Sequence, residues 1–348
     1  MIKRKKKNKE HNPFYDPTLK KRHVSAKRFK KFTLTSLIFS VAFLAFFLFD
    51  MIGKGIPAFN IAYIKVDVTF NEKTLEDTRF AVPTEYRNLV SRAALRDLPK
   101  LLEENPTYMN STQNIWILAS SQVDQYIKNH NHNLKDKDIA KVDELYAQGL
   151  IDKKFNAIFF ENGDSKIPEY AGIFSAVIGS ILTLIITMAV AFPIGVMTAI
   201  YLEEFAGDNK FTRFIEININ NLAAIPSILF GLLGLAIFIN LFGMPRSSPL
   251  VGGLTLALMT LPIIIVSSRA ALRAVPDSIR QAGYGLGLNK IQVTRDHVLP
   301  LAFPGIMTGS IIGLAQAMGE TAPLIIIGMI AFIPDAPSMV TQAATVMR

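Results

Sequence analysis

Arg280-Gln281-Ala282-Gly283-Tyr284-Gly285-Leu286-Gly287, running on to Leu299-Pro300, sits between two long apolar stretches. It reads as a short polar helix, a glycine turn and the start of a second helix. Small residues at 282, 283, 285 and 287 leave the backbone open, so another protein can press close against it. Three alternating glycines with no strand before them do not make a dinucleotide loop. An ordered pattern of small residues followed by Leu-Pro is more than a flexible linker between spans needs.

The surroundings place this stretch at a membrane. Half of the 348 residues are apolar, and mean hydropathy is +0.30. The net charge of +9 belongs to the first 31 residues, where thirteen Lys/Arg face only Glu10 and Asp16. A basic tail before an apolar run reads as a cytoplasmic flank in preference to a nucleic-acid arm. The length of that run, and the lack of a small-residue cleavage pattern after it, indicate an uncleaved anchor. Cysteine is absent, so there is no disulfide framework.

Apolar runs at 32–52, 171–202, 214–242, 250–267 and 302–332 are each long enough to approach or exceed a bilayer crossing of about 20 residues. With the tail inside, 53–170 falls outside, 203–213 inside, 243–249 outside and 268–301 inside. Arg269, Arg273, Arg280, Lys290 and Arg295 in the last loop, against Arg246 alone in 243–249, point the same way. The layout is thus a tail at 1–31, a first transmembrane helix at 32–52, a periplasmic domain at 53–170 and a transmembrane domain at 171–348. The cytoplasmic loop of interest occupies 276–300. The fold class expected is an all-α polytopic membrane protein with a small α+β insert.

Within the insert, alternation predicts strands at 64–70, 114–119 and 155–160. Helices are expected at 85–104, after a cap at Ser120 or Ser121, and at 138–147 before Gly149. Trp116 is expected in the core. His130 and His132 lack further ligands at a recognised spacing, which disfavours a metal site. In the spans, Gly305, Gly309 and Gly313 form a small-residue face for close helix approach. Pro193, Pro226, Pro262 and Pro304 are expected to kink or start helices.

The second constellation is Gln316-Ala317-Met318-Gly319-Glu320-Thr321-Ala322-Pro323. A carboxylate about midway along the last run is expensive there and indicates function, with a structural ion pair as the alternative. Gly313, Gln316 and Glu320 share one helical face, expected to look into the bundle. Thr321 before Ala322-Pro323 predicts an N-cap and a helix break, with free N–H groups suited to an anion. Glu320 could accept a hydrogen bond from a protonated phosphate, which sulfate cannot offer. No Gly-x-x-x-x-Gly-Lys-Ser/Thr loop occurs, so a docking loop implies an ATPase partner; ATP and Mg would sit there, with no cofactor on this chain.

Gln281-Ala282-Gly283, Gly287 and His297-Val298-Leu299-Pro300 resemble the coupling loop of ATP-binding-cassette (ABC) importer permeases, Glu-Ala-Ala, three residues, Gly, then Ile-x-Leu-Pro. Gly319-Glu320-Thr321-Ala322-Pro323-Leu324 and Ala224-Ile225-Pro226-Ser227-Ile228-Leu229-Phe230-Gly231 are similar to motifs of the phosphate-specific (PstA) permease family, in the branch with an extra N-terminal periplasmic domain. The resemblance covers 171–348. It implies a MetI-like transmembrane bundle and a coupling loop (Gln281, Ala282, Gly283, Gly287, Leu299, Pro300) seated in an ATPase dimer. It further implies a substrate path near Glu320 and Thr321. Gln316 stands where many members have arginine, so Arg269, a second permease or backbone N–H groups would have to attract the anion.

Only sixteen residues follow Phe332, and the family core usually has six spans, so the C-terminus is expected to be truncated. The function expected is the membrane-spanning permease subunit of an ATP-driven phosphate importer in the plasma (cell inner) membrane. Its partners would be an ABC ATPase dimer, a second phosphate permease subunit, a periplasmic phosphate-binding protein and membrane lipid, with no nucleic acid. Import of molybdate or sulfate is the alternative, followed by a membrane-anchored sensor or interaction protein. The membrane portion has no Ser/His/Asp grouping or paired carboxylates for an enzyme, so none is expected.

Overall fold

The computed structural model describes residues 18–329 and 332–341, so most of the basic tail lies outside the described range. It divides into two units, residues 1–60 and 61–348. Among the described residues the first contains the long helix α1 (Leu19–Gly55) and a short 3-10 turn at Ile56–Phe59. The long helix starts well before the apolar run, carrying the basic flank in helical form. Its Thr33, Thr35, Ser36 and Ser40 hydroxyls donate to carbonyls one turn back, which leaves few polar groups unsatisfied along an apolar span.

The second unit opens with the α+β insert. Strand β1 (Asn60–Thr69) is central in the order β2-β1-β3, with β2 (Thr112–Leu118) antiparallel to it and β3 (Ile151–Phe155) on the other side. Ile64, Val66 and Val68 point inward, as the alternation requires. Around them pack α2 (Glu72–Glu76), α3 (Arg92–Arg96), α4 (Leu98–Glu104), α5 (Ser121–Ile127) and α6 (Asp136–Ala147), with Leu89, Leu95, Val123 and Leu145 in the core.

Three expectations need correction here. The helix predicted over 85–104 begins only after Ser91, because Val90 bridges Ala119 and the Ser91 hydroxyl caps α3. The strand predicted at 155–160 is instead the end of β3 followed by α7 (Ala157–Glu161), whose first turn is capped by Asn156 accepting from the Phe159 N–H at 3.2 Å. Trp116 is only half-buried, and it lies outside the core beneath the Lys154 ammonium, 4.7 Å from the ring.

The membrane part begins with α8 (Phe174–Ile200), which runs on through a π turn at Tyr201–Phe205. Next come α9 (Lys210–Ala223) and α10 (Ser227–Gly234), the latter extended by a π segment at Leu235–Leu241. The apolar run at 214–242 is bent by 104° at Ala224-Ile225-Pro226, so Pro226 starts a helix as expected. Proline cannot donate to the preceding turn, and here it stands just before α10. Four helices among the described residues are long and apolar enough to cross a membrane, or five if the bent pair is one span.

Helix α11 (Pro249–Arg273) is the enclosed centre of the bundle. One flank meets α8, where a side chain at Gly253 would strike Ile186 at 2.6 Å and the Thr187 hydroxyl donates to the Gly253 carbonyl at 3.2 Å. The other flank meets α14 (Leu299–Gly319), after α12 (Asp277–Gly285) and α13 (Lys290–Val293). Gly305 faces Ala271, Gly309 faces Ser267 and Gly313 faces Ile264, so the glycine stripe serves the close approach expected of it. Pro193, Pro262 and Pro304 are accommodated inside continuous helices.

Candidate functional site

Two regions collect the residues singled out above, at opposite ends of one rod. From Lys290 to Gly319 the chain is continuously helical, passing from α13 through a π turn at Thr294–Val298 into α14. Leu299 and Pro300, expected in a loop, therefore lie inside a helix. Pro300 has no N–H to donate, and the wider π turn stands just before it.

At the first end, α12 lies across the start of this rod. A side chain at Gly283 would meet Val293 at 2.8 Å, so glycine lets the two helices touch. The turn after α12 is set by Gly287 at φ +81°, a left-handed backbone that glycine adopts without strain. The Gly287 N–H donates to Tyr284 and the Leu288 N–H to Gly283. Asn289 then starts α13 with a reciprocal capping box, its amide oxygen accepting from Gln292 N–H and its own N–H donating to the Gln292 side chain, both at 2.9 Å. Gln281 and Ala282 face outward, and with Tyr284, Leu286 (78% exposed) and Ile291 (65% exposed) they form an uncovered, partly apolar face.

This face is held rigidly from behind. Arg280 donates to the Glu204 carboxylate at 2.6 Å and to the carbonyls of Leu272 and Val275, which close the end of α11. Glu204 is only 5% exposed, so the pair is a buried one with its remaining donors satisfied. Beside it, the Arg269 guanidinium is shared between Glu203 and Glu216, and Arg273 also reaches Glu203 at 2.8 Å. This network links α8, α9, α11 and α12. Sequence reasoning missed it, since nothing in the local pattern pairs Glu203 and Glu204 with arginines 66 to 76 residues away. The Asn289 box was legible as Asn-x-x-Gln before an apolar run.

At the other end, α14 stops at Gly319. Glu320 is extended, and the five-residue helix α15 (Ala322–Ile326) follows Thr321. The expected break is present, but the Thr321 hydroxyl makes no capping bond and so short a helix has little dipole to offer an anion. Glu320 sits at the end of its helix, not midway along a span. The Gly231 backbone of α10 packs on Pro323, where an added side chain would stand 2.8 Å from the Pro323 Cα, which brings the two quoted motifs together. Glu320 and Thr321 are half-buried and Gln316 is exposed; none of the three makes a side-chain hydrogen bond among the described residues. Gly313 faces α11 whereas Gln316 faces away from it, so the shared face is only partly realised. Arg269 lies level with the stretch between Gly305 and Gly309, about thirteen residues or roughly 20 Å short of Glu320 along α14. The structure does not bring Arg269 and Glu320 together.

Residues 171–339 match the family described as the binding-protein-dependent transport system inner membrane component. That match takes in most of the membrane part of this chain. Residues 16–86 and 81–136 match a domain of unknown function, DUF3333. The phosphate transport system permease protein PstA of Mycobacterium leprae is 36% identical over 160 residues, covering 46% of this chain and 52% of that protein. A probable ABC transporter permease of Bacillus subtilis, YqgI, is 33% identical over 168 residues, 48% of this chain and 56% of its own. The chain thus spans about half the length of the curated relatives it matches. A solved methionine ABC transporter, MetNI in inward-facing form, superposes with a TM-score of 0.37 at 21% identity over 42% of this chain and 70% of that one. The family match and the four apolar helices among the described residues support a multi-pass membrane protein.

Proposed function

We propose that this chain is a membrane-spanning subunit of an ATP-driven importer of inorganic phosphate. The observation that carries the coupling half of this reading is the face at the end of α12: exposed Leu286 and Ile291 flank the Gly287 turn between α12 and α13, and Arg280 pins α12 to the buried Glu204. A rigid helix presenting apolar side chains beside an open glycine turn is suited to a cleft in a motor protein. An ABC ATPase dimer would occupy it from the cytoplasm, holding ATP and Mg on its own residues. The names of the PstA relatives support phosphate as cargo. Glu320, unpaired at the helix break with Thr321 and Gln316 nearby, would accept a proton-bearing oxyanion's hydrogen bond. With Arg269 neutralised by two carboxylates, positive potential along the path would come from a second permease. A periplasmic binding protein would deliver phosphate on the face where the insert lies. Molybdate or sulfate import is the second reading.

Co-purification with candidate ATPases tests the coupling. Leu286→Glu and Gly287→Asp should each abolish the complex while the chain stays folded, because neither side chain would touch another part of the protein closely. An ATPase retained by both variants would overturn the docking assignment. Uptake of labelled phosphate competed by arsenate and not by sulfate is the outcome expected for cargo; the reverse would favour the second reading.

A further inference from the structure

The insert carries a cleft that nothing above explains. Arg87, Arg92, Arg96 and Lys166 line a cavity of about 340 Å³, and the three arginines extend into a neighbouring one of about 420 Å³. Arg92 and Arg96 stand one turn apart on α3, so their like charges repel at some cost to that helix. Neither makes an ion pair or hydrogen bond among the described residues. Arg87 is half-buried and spends its guanidinium on the Val82 carbonyl and the Phe80 ring.

The carboxylates nearest the cleft hold structural bonds, and two of them, Glu169 and Asp77, line its cavities. Asp77 is held by Arg79 at 2.7 Å, Asp97 accepts from the Tyr170 hydroxyl at 2.6 Å, and Glu169 accepts the Ser121 N–H at 2.7 Å. All three acids thus serve local structure, and in each cavity the cations outnumber the acid: Arg87, Arg92, Arg96 and Lys166 against Glu169 in the first, Arg79, Arg87, Arg92 and Arg96 against Asp77 in the second. Planar guanidiniums converging on an open cavity match the oxygens of a tetrahedral phosphoryl group, which they bind in pairs.

We infer that this cleft is a binding site for a phosphoryl oxyanion, with Arg92 and Arg96 as its principal ligands and Arg87 and Lys166 at its sides. Inorganic phosphate and the headgroup of an anionic lipid both offer that chemistry. The second source is open because Lys166 also reaches Phe332, 5.8 Å from the ring, on the segment that follows the last membrane helix. The inference does not rest on the transport reading, since it needs only the charge and shape of the cleft.

The test uses the full chain in nanodiscs. In discs of neutral lipid, labelled inorganic phosphate is titrated onto the wild type, Arg92→Ala/Arg96→Ala and Arg92→Lys/Arg96→Lys. The alanine pair should weaken binding at least tenfold, the lysine pair less, and added salt should weaken the wild type. In discs containing phosphatidylglycerol, native mass spectrometry counts retained lipid; loss of one lipid in the alanine pair, without phosphate binding in neutral discs, assigns the cleft to headgroups. Phosphate binding and lipid retention both unchanged in the alanine pair would overturn the site. So would capture of an acidic protein that the pair abolishes while both anion readouts stay flat. Glu320→Gln, measured alongside, separates this site from the transport path: it should leave the cleft's phosphate binding intact.

Discussion

At the scale of single residues, the most consequential side chain is Arg280, which sequence patterning passed over as part of a polar helix. Its partner Glu204 is nearly inaccessible, and removing the arginine leaves that carboxylate buried and unpaired. Arg280→Ala should destabilise the chain by about 3–5 kcal/mol, read as a clear fall in melting temperature in detergent. Arg280→Met combined with Glu204→Gln should recover part of the loss. A single variant that melts like the wild type would remove the anchor. Gly287 makes a different demand, since its surroundings are open and only its backbone is unusual. Gly287→Asn should therefore melt near the wild type, while Gly287→Val should lose roughly 1–2 kcal/mol from the left-handed conformation.

At the scale of elements, α11 against α14 is the seam on which the bundle depends. Gly309 lies so close to Ser267 that one added methyl collides with it. Gly309→Ala should cost about 1–3 kcal/mol by overpacking, and Ser267→Gly in the same chain should restore melting. That stripe was legible because four-residue spacing of glycines has one simple use in a membrane helix. The inward alternation of β1 and the helix ending at Gly149 were legible for the same kind of reason, a strong period with a clear stop. Positions 155–160 misled because Phe155, Phe159 and Phe160 suit a strand, and one Asn156 cap outweighs them. The 104° bend could not be read either: Pro226 marks a break, but the angle is set by what α10 packs on, including Pro323.

For the molecule as a whole, the two motif regions were found from sequence, but their relation was not. Leu299-Pro300 read as the end of a loop, because proline usually marks a boundary, and the π turn beside it lets the helix run through. The ion-pair network behind α12 joins residues far apart in the chain, beyond any local signal. Sidedness can be measured directly, since the natural chain has no cysteine to confuse labelling. A single cysteine at Tyr284 should react with a membrane-impermeant maleimide only from the cell interior, and one at Lys137 only from outside. Both labelling from one side would invert the transport reading.

The unbroken helix from Lys290 to Gly319 is about 45 Å long by its thirty residues. A stiff shaft of that length cannot be twisted or levered at one extremity without displacing the other. Whatever seizes the Tyr284 end thus has a mechanical handle on the acid at the far tip, and the wider turn at Thr294–Val298 is where such a shaft would flex first.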